Sequence, residues 1–219
     1  MKLINSILFY LFTGYLNFFL AINIINPTLG TPILPDIGFY LLPHISYIYT
    51  DIIISVIFLY FYIKWYYLDK QLLARFFYLS GFMLFIRLFT FSVTLIPPCI
   101  NDCVSRKHGE SFIWITHQID LGCSDHMFSG HAVHFTLFML MTLYSSNKYW
   151  EKIFMGIIYL PYLLLIIASK LHYTVDVLIG SILTTLIYYI DSEGLFLDKI
   201  EKKYNNIWNH IDYFLLLNM

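Results

Sequence analysis

The sequence predicts an all-α integral membrane protein, a bundle of six transmembrane helices with both termini on the cytoplasmic side. Three observations predict it. Of the 219 residues, 59% are hydrophobic and 12% charged, far from the balance of a soluble globular chain. The apolar residues collect in runs long enough to span a bilayer. The basic residues collect on one side of those runs, which marks that side as cytoplasmic.

The first run, Leu3–Ile25, has about twenty apolar residues, too many for a signal-peptide core, and no small-residue cleavage site follows it, so it is expected to be retained. The second, Ile52–Tyr67, and the third, Leu72–Ile96, are joined by a short polar link. The fourth is Phe128–Ser145, the fifth Ile153–Ser169 and the sixth Tyr173–Ile190. Residues 1–191 are thus expected to form one six-span catalytic membrane domain with no separate soluble unit. Residues 192–219 read as a cytoplasmic amphipathic tail. Leu195, Phe196, Ile200, Tyr204, Ile207, Trp208 and Ile211 fall on its apolar face, and Lys199, Lys202 and Lys203 on its polar face.

Six spans put both termini on one side. Lys2, Lys64, Lys70, Arg75, Lys148, Lys152, Lys199, Lys202 and Lys203 lie there, against Arg106, Lys107 and Lys170 opposite. The opposite side is then luminal or extracellular. Cys99, Cys103 and Cys123 would sit on it. Cys99 with Cys103, or a longer-range pair, could form a disulfide there. Three free thiols are the alternative.

Two segments carry the chemistry, Cys123-Ser-Asp-His-Met-Phe-Ser-Gly-His131 and His172-Tyr-Thr-Val-Asp176. Each sets a histidine where an apolar run begins. If His172 and Asp176 share a helix, their spacing of four puts them on one face, and the carboxylate can fix the ring's tautomer and activate a nucleophile. His131, brought to the same rim by topology, would supply acid and base. Ser129 is expected to cap the fourth helix, and Gly130 lets backbone N–H groups approach a phosphate. The plainer readings are a helix cap followed by an interfacial histidine, and a His–Asp pair anchoring a helix. A metal centre is the competing use of His126, His131 and His134, but His131 and His134 at a spacing of three match it loosely, and no metal is expected.

Taken together, the segments resemble the signature motifs of sphingomyelin synthases and their relatives, ceramide phosphotransferases within the lipid phosphate phosphatase superfamily. The family pattern Cys-Gly-Asp-x-x-x-Ser-Gly-His reads here Cys123-Ser124-Asp125 followed by Ser129-Gly130-His131, with Ser124 in place of the glycine. The second pattern reads His172-Tyr173-Thr174-Val175-Asp176-Val177. Pro32-Ile33-Leu34-Pro35-Asp36 resembles the Pro-Leu-Pro-Asp segment after the first span. Arg87, Thr90, Thr94 and Pro97 resemble the motif that ends the third.

The resemblance implies a two-step transfer. His172, activated by Asp176, would take a phospho-head group from a glycerophospholipid. His131 would protonate the departing diacylglycerol and then deprotonate ceramide, which accepts the head group. Ser129, Gly130, Asp125, Tyr173, Asp36 and Arg87 would bind phosphate or support the site. No cofactor and no nucleic-acid partner are implied, and both substrates come from the bilayer of the Golgi, endoplasmic reticulum or plasma membrane.

Arg87 lies ten residues before Pro97, about 15 Å along a helix. It would either line a polar cavity near the phosphate or be held by an acidic or carbonyl partner. The stretch from Pro98 to His126 carries Asp102, Glu110, Asp120, Asp125, Phe112 and Trp114. As a loop over the site, that composition would favour a choline or ethanolamine head group over inositol; an ordinary interfacial hairpin with an aromatic belt is the plainer reading. A lipid phosphate phosphatase, with water as acceptor, is the first rival. Such enzymes carry a Lys-x6-Arg-Pro motif, and no arginine here precedes a proline. A non-enzymatic lipid-binding membrane protein is the second.

Overall fold

A computed structural model describes residues 2–23, 32–94, 96, 97, 99 and 127–193. Asp125, Cys103, Cys123, the acidic stretch ending at His126 and the tail beyond Glu193 lie outside them. The described residues form seven α-helices and no strand: α1 (Leu3–Asn23), α2 (Ile37–Leu41), α3 (Tyr47–Leu68), α4 (Lys70–Val93), α5 (Gly130–Ser145), α6 (Tyr149–Ala168) and α7 (Thr174–Ser192). Helices α1, α3, α4, α6 and α7 are long and apolar enough to cross a membrane. The chain is an α-helical membrane protein. Helix α5 has 16 residues, about 24 Å, and it is the most enclosed, with Ala132, Val133, Phe135, Leu137, Phe138 and Met141 among its buried residues.

The helix limits differ from the apolar runs where caps decide them. Helix α3 starts at Tyr47, five residues before Ile52, and so takes in Thr50 and Asp51. A single residue, Asp69, joins α3 to α4; its carboxylate accepts from the backbone N–H groups of Gln71 and Leu72. Helix α4 ends at Val93, short of Ile96, because the residue before a proline disfavours helical backbone. The five-residue α2 fills the link between α1 and α3.

Helix α1 runs parallel to α4. Phe9 and Tyr10 meet Gly81, Asn17 Nδ2 donates to the Leu84 carbonyl at 2.8 Å, and Leu16 and Leu20 pack on Leu88. A Cβ on Gly81 would lie 2.8 Å from the Phe9 ring and 3.1 Å from Tyr10 Cα, so glycine is what allows the approach. Small residues and interhelical polar contacts replace hydrophobic drive in a bilayer. Elsewhere the core is aromatic. Phe76 stacks on Phe138 at 4.7 Å, Phe61 on Phe138 at 5.5 Å and Phe135 on Tyr162 at 3.9 Å.

The two ends of the bundle are chemically different. At the end of α3 and start of α6, Glu151 is buried and holds Lys64, Tyr60 and Ser146. Nearby Arg75 binds Asp191 at 2.6 Å and lies over the Tyr188 ring. The histidines gather at the other end. Removing one partner of a buried ion pair leaves an uncompensated charge, at about 3–5 kcal/mol. Lys64→Met is therefore expected to lower the thermal midpoint of the detergent-solubilised protein clearly, while Lys148→Met, at an exposed position, leaves it unchanged.

Candidate active site

The N-termini of α2, α3, α5 and α7 meet at the histidine end. Ser129 caps α5 as its residue type predicts, its Oγ accepting from the Ala132 N–H at 3.2 Å. Phe128 before it is fully buried and has φ 45°, a left-handed conformation costing a non-glycine residue about 1–2 kcal/mol. Lys170, two residues before His172, has φ 55°. The backbone is thus strained just ahead of each histidine, as happens where surrounding structure over-determines a functional segment.

The start of α7 differs from the periodicity argument. The helix begins at Thr174 with Tyr173 as N-cap, so His172 precedes the helix and Asp176 is its third residue. The shared helical face expected from their spacing does not exist. Asp176 instead closes a capping box, its Oδ2 accepting from the Tyr173 N–H at 3.2 Å. Its Oδ1 accepts from the Phe128 N–H at 3.3 Å, and its carbonyl from the Ser129 N–H at 3.0 Å. This fully buried residue ties the start of α7 to the turn that opens α5. Gly180 keeps the two helices close; a Cβ there would lie 3.2 Å from the Ser129 carbonyl.

That tie brings the histidines together. The rings of His131 and His172 lie 6.2 Å apart, centroid to centroid, at 58°. His131 Nε2 is 3.0 Å from Asp51 Oδ1. Asp51 lies one residue before the apolar run that starts at Ile52 and so stands outside the residues singled out in sequence. An acidic residue at the mouth of an apolar run is the signal that would have found it. Arg87 is buried, and its Nη1 lies 3.6 Å from where a Cβ on Gly130 would stand. The guanidinium therefore sits beside the residue that opens α5. His134, by contrast, is taken up in packing, with Nδ1 2.7 Å from the Gly130 carbonyl and Nε2 3.2 Å from the Tyr10 hydroxyl.

Tyr173 and Asp36 turn inward. The Tyr173 hydroxyl accepts from the Leu34 N–H at 3.1 Å and donates to the Pro97 carbonyl at 3.2 Å. Burial raises its pKa, which keeps the phenol protonated as a donor. Asp36 caps α2 and reaches Thr174. Of the residues singled out in sequence, His131, His172, Asp176, Ser129, Gly130, Arg87, Tyr173 and Asp36 converge here. Two neighbouring imidazoles, a guanidinium and a helix N-terminus suit an anionic group, with the rings close enough for one to act as acid and base beside the other.

Residues 122–193 match the family described as PAP2 superfamily C-terminal, a segment holding His131, His172 and Asp176 but not Asp36, Asp51 or Arg87. The chain is 26% identical over 227 aligned positions to phosphatidylcholine:ceramide cholinephosphotransferase 2 of Caenorhabditis elegans, covering 86% of this chain and 64% of that one. It is 31% identical over 183 positions to phosphatidylinositol:ceramide inositolphosphotransferase 2 of Arabidopsis thaliana, covering 72% and 59%. A Rattus norvegicus phosphatidylcholine:ceramide cholinephosphotransferase 2 is 29% identical over 128 positions, covering 51% and 35%. The chain therefore spans less than two thirds of the length of each of these relatives.

Asp176→Ala would leave two enclosed backbone N–H groups unpaired, at about 1–3 kcal/mol each. We expect it to lower the thermal midpoint well beyond the effect of His172→Ala, so its stability and its chemistry must be measured separately.

Proposed function

Because this chain belongs to the sphingomyelin synthase/ceramide phosphotransferase family of the PAP2 superfamily, we propose that it moves a phospho-head group from a glycerophospholipid to ceramide. The products are a phosphosphingolipid such as sphingomyelin and diacylglycerol. The observation that carries this reading is the approach of the His131 and His172 rings to 6.2 Å, close enough for both to reach one phosphoryl group.

In the first step a ring nitrogen of His172 attacks phosphorus. Nδ1 is shielded from solvent, so Nε2 is assigned as nucleophile. The bond from phosphorus to the glycerol oxygen breaks, and that oxygen takes a proton from His131. The head group is left on His172 as a phosphohistidine. In the second step the primary hydroxyl of ceramide gives its proton to His131 and attacks phosphorus, and the phosphorus–nitrogen bond breaks. Asp51 orients His131 and stabilises its cation. Asp176 supports His172 by holding the turn it stands on. Arg87 and the start of α5 meet the phosphate charge. The scheme uses no cofactor or nucleic acid.

We further propose six membrane crossings, α5 included, with both termini cytoplasmic. Support comes from the parallel run of α1 and α4 and from the lysine-rich end opposite the histidines. The site would then open to the lumen of the Golgi or endoplasmic reticulum, or to the cell exterior. The acidic, aromatic composition of residues 98–126 supports choline or ethanolamine as head group.

The test is reconstitution in liposomes with labelled ceramide and equal amounts of phosphatidylcholine, phosphatidylethanolamine and phosphatidylinositol. We expect a labelled choline or ethanolamine phosphosphingolipid, and loss of about 10³-fold or more in His131→Ala and His172→Ala. Gly130→Ala should fold, because 3.6 Å is ordinary contact, yet lose roughly tenfold or more as its methyl takes the space beside Arg87. A labelled inositol product would overturn the head-group assignment. Phosphate release from phosphatidic acid with no labelled sphingolipid would favour the phosphatase, and neither product a lipid-binding role.

A further inference from the structure

Asp36 stands 136 positions before His172 in the sequence (172 − 36), yet it grips the backbone that follows that histidine. Its Oδ2 accepts from the Thr174 N–H at 2.8 Å. Its Oδ1 accepts from the Thr174 hydroxyl at 2.6 Å and from the N–H groups of Gly38 and Phe39 at 2.8 and 3.1 Å. The N–H of Thr174 opens α7 and is one of four that no carbonyl within the helix can reach. One carboxylate thus caps two helices, and the second starts two residues after His172.

The neighbours of Asp36 reinforce the grip. Leu34 N–H binds the Tyr173 hydroxyl, Phe39 packs on the Tyr173 ring at 5.4 Å with a tilt of 31°, and Ile45 N–H binds the Ala168 carbonyl at 3.0 Å. A methyl on Gly38 would collide with Thr174 Oγ1 and with Ile167 Cγ2 of α6, so the segment after Asp36 packs here without room for a side chain. From the other side Asp176 holds the Tyr173 N–H. The backbone donors and hydroxyls of the two residues after His172 are therefore all committed to fixed partners.

We propose that Asp36 is a positioning residue for His172, holding the start of α7 so that the ring meets phosphorus in line. The inference rests on His172 being the nucleophile of the proposed transfer. Asp36 acts through the backbone of α7, with both of its oxygens accepting hydrogen bonds within the protein. A displacement of about 1 Å at a reacting group costs on the order of 10²-fold in rate, so the effect falls on kcat and leaves lipid binding nearly intact. Asp36→Asn separates the two caps. Its amide oxygen can still accept from Gly38 and Phe39, but its NH2 would face the Thr174 N–H.

The experiment uses the full chain in the same liposomes, with kcat and KM per folded protein, and diethyl pyrocarbonate labelling of His172 read by mass spectrometry. His134, held by Gly130 and Tyr10, is the reference for labelling. We expect Asp36→Ala and Asp36→Asn to lower kcat by about 30- to 100-fold with KM within about threefold, and to raise His172 labelling at least about threefold while His134 stays constant. Thr174→Val, which keeps its N–H, should lose about threefold in kcat. A purely structural Asp36 would lower the thermal midpoint but leave kcat within twofold and His172 labelling unchanged, and that result overturns the proposal. If Asp36→Ala is not recovered folded, Asp36→Asn decides by the same criteria. If the wild type transfers no head group, the functional reading fails, and the labelling arm alone decides whether Asp36 holds His172.

Discussion

The site depends on one buried carboxylate. Asp176 accepts from Tyr173 and Phe128 with its side chain and from Ser129 with its carbonyl. The first of these fixes the start of α7, and the other two fix the turn that opens α5. His172 and His131 stand on those two pieces of backbone, so their separation is set by hydrogen bonds to a third residue. A carboxylate enclosed in protein is unfavourable unless its oxygens are satisfied, and here the donors are N–H groups that helix starts leave unpaired. Each need meets the other.

The same logic explains why polar groups cluster at the two ends of an otherwise aromatic bundle. In a bilayer, backbone and charged groups must find partners inside the protein. At the lysine end Glu151 and Asp191 gather their cations and hydroxyls. At the histidine end Asp36, Asp51 and Asp176 gather helix N–H groups and an imidazole. The first arrangement pairs each buried carboxylate with a cation. The second sets Arg87 and two histidine rings around the opening of α5, an arrangement suited to an anionic group.

Much of this was legible in the sequence because membrane spans and short motifs are local signals. The apolar runs match all six long helices to within a few residues at most ends. Ser129 as a cap and the convergence of His131 with His172 follow from residue types and topology. What the pattern did not contain was the fate of side chains fixed by distant partners. The spacing of His172 and Asp176 suggested a shared helical face, but a capping box moved the helix start past the histidine. Asp51 fell outside an apolar run because runs are cut at charges, whereas helices are cut at caps. Asp36 belonged to a recognisable motif, but its contact with Thr174 spans most of the chain and has no local trace. Tyr173, expected to bind phosphate or support the site, has its hydroxyl on Leu34 and Pro97, partners that no local pattern names.

The central claim is that His172 carries the head group between the two lipids. Its most direct test is to quench the purified protein during turnover of a donor labelled in its phosphorus, with ceramide left out, and to map the bound label by peptide mass spectrometry. The account predicts an acid-labile, base-stable label on the peptide containing His172, chased off by added ceramide and absent from His172→Ala. Label on another residue, or efficient transfer by His172→Ala, would contradict it.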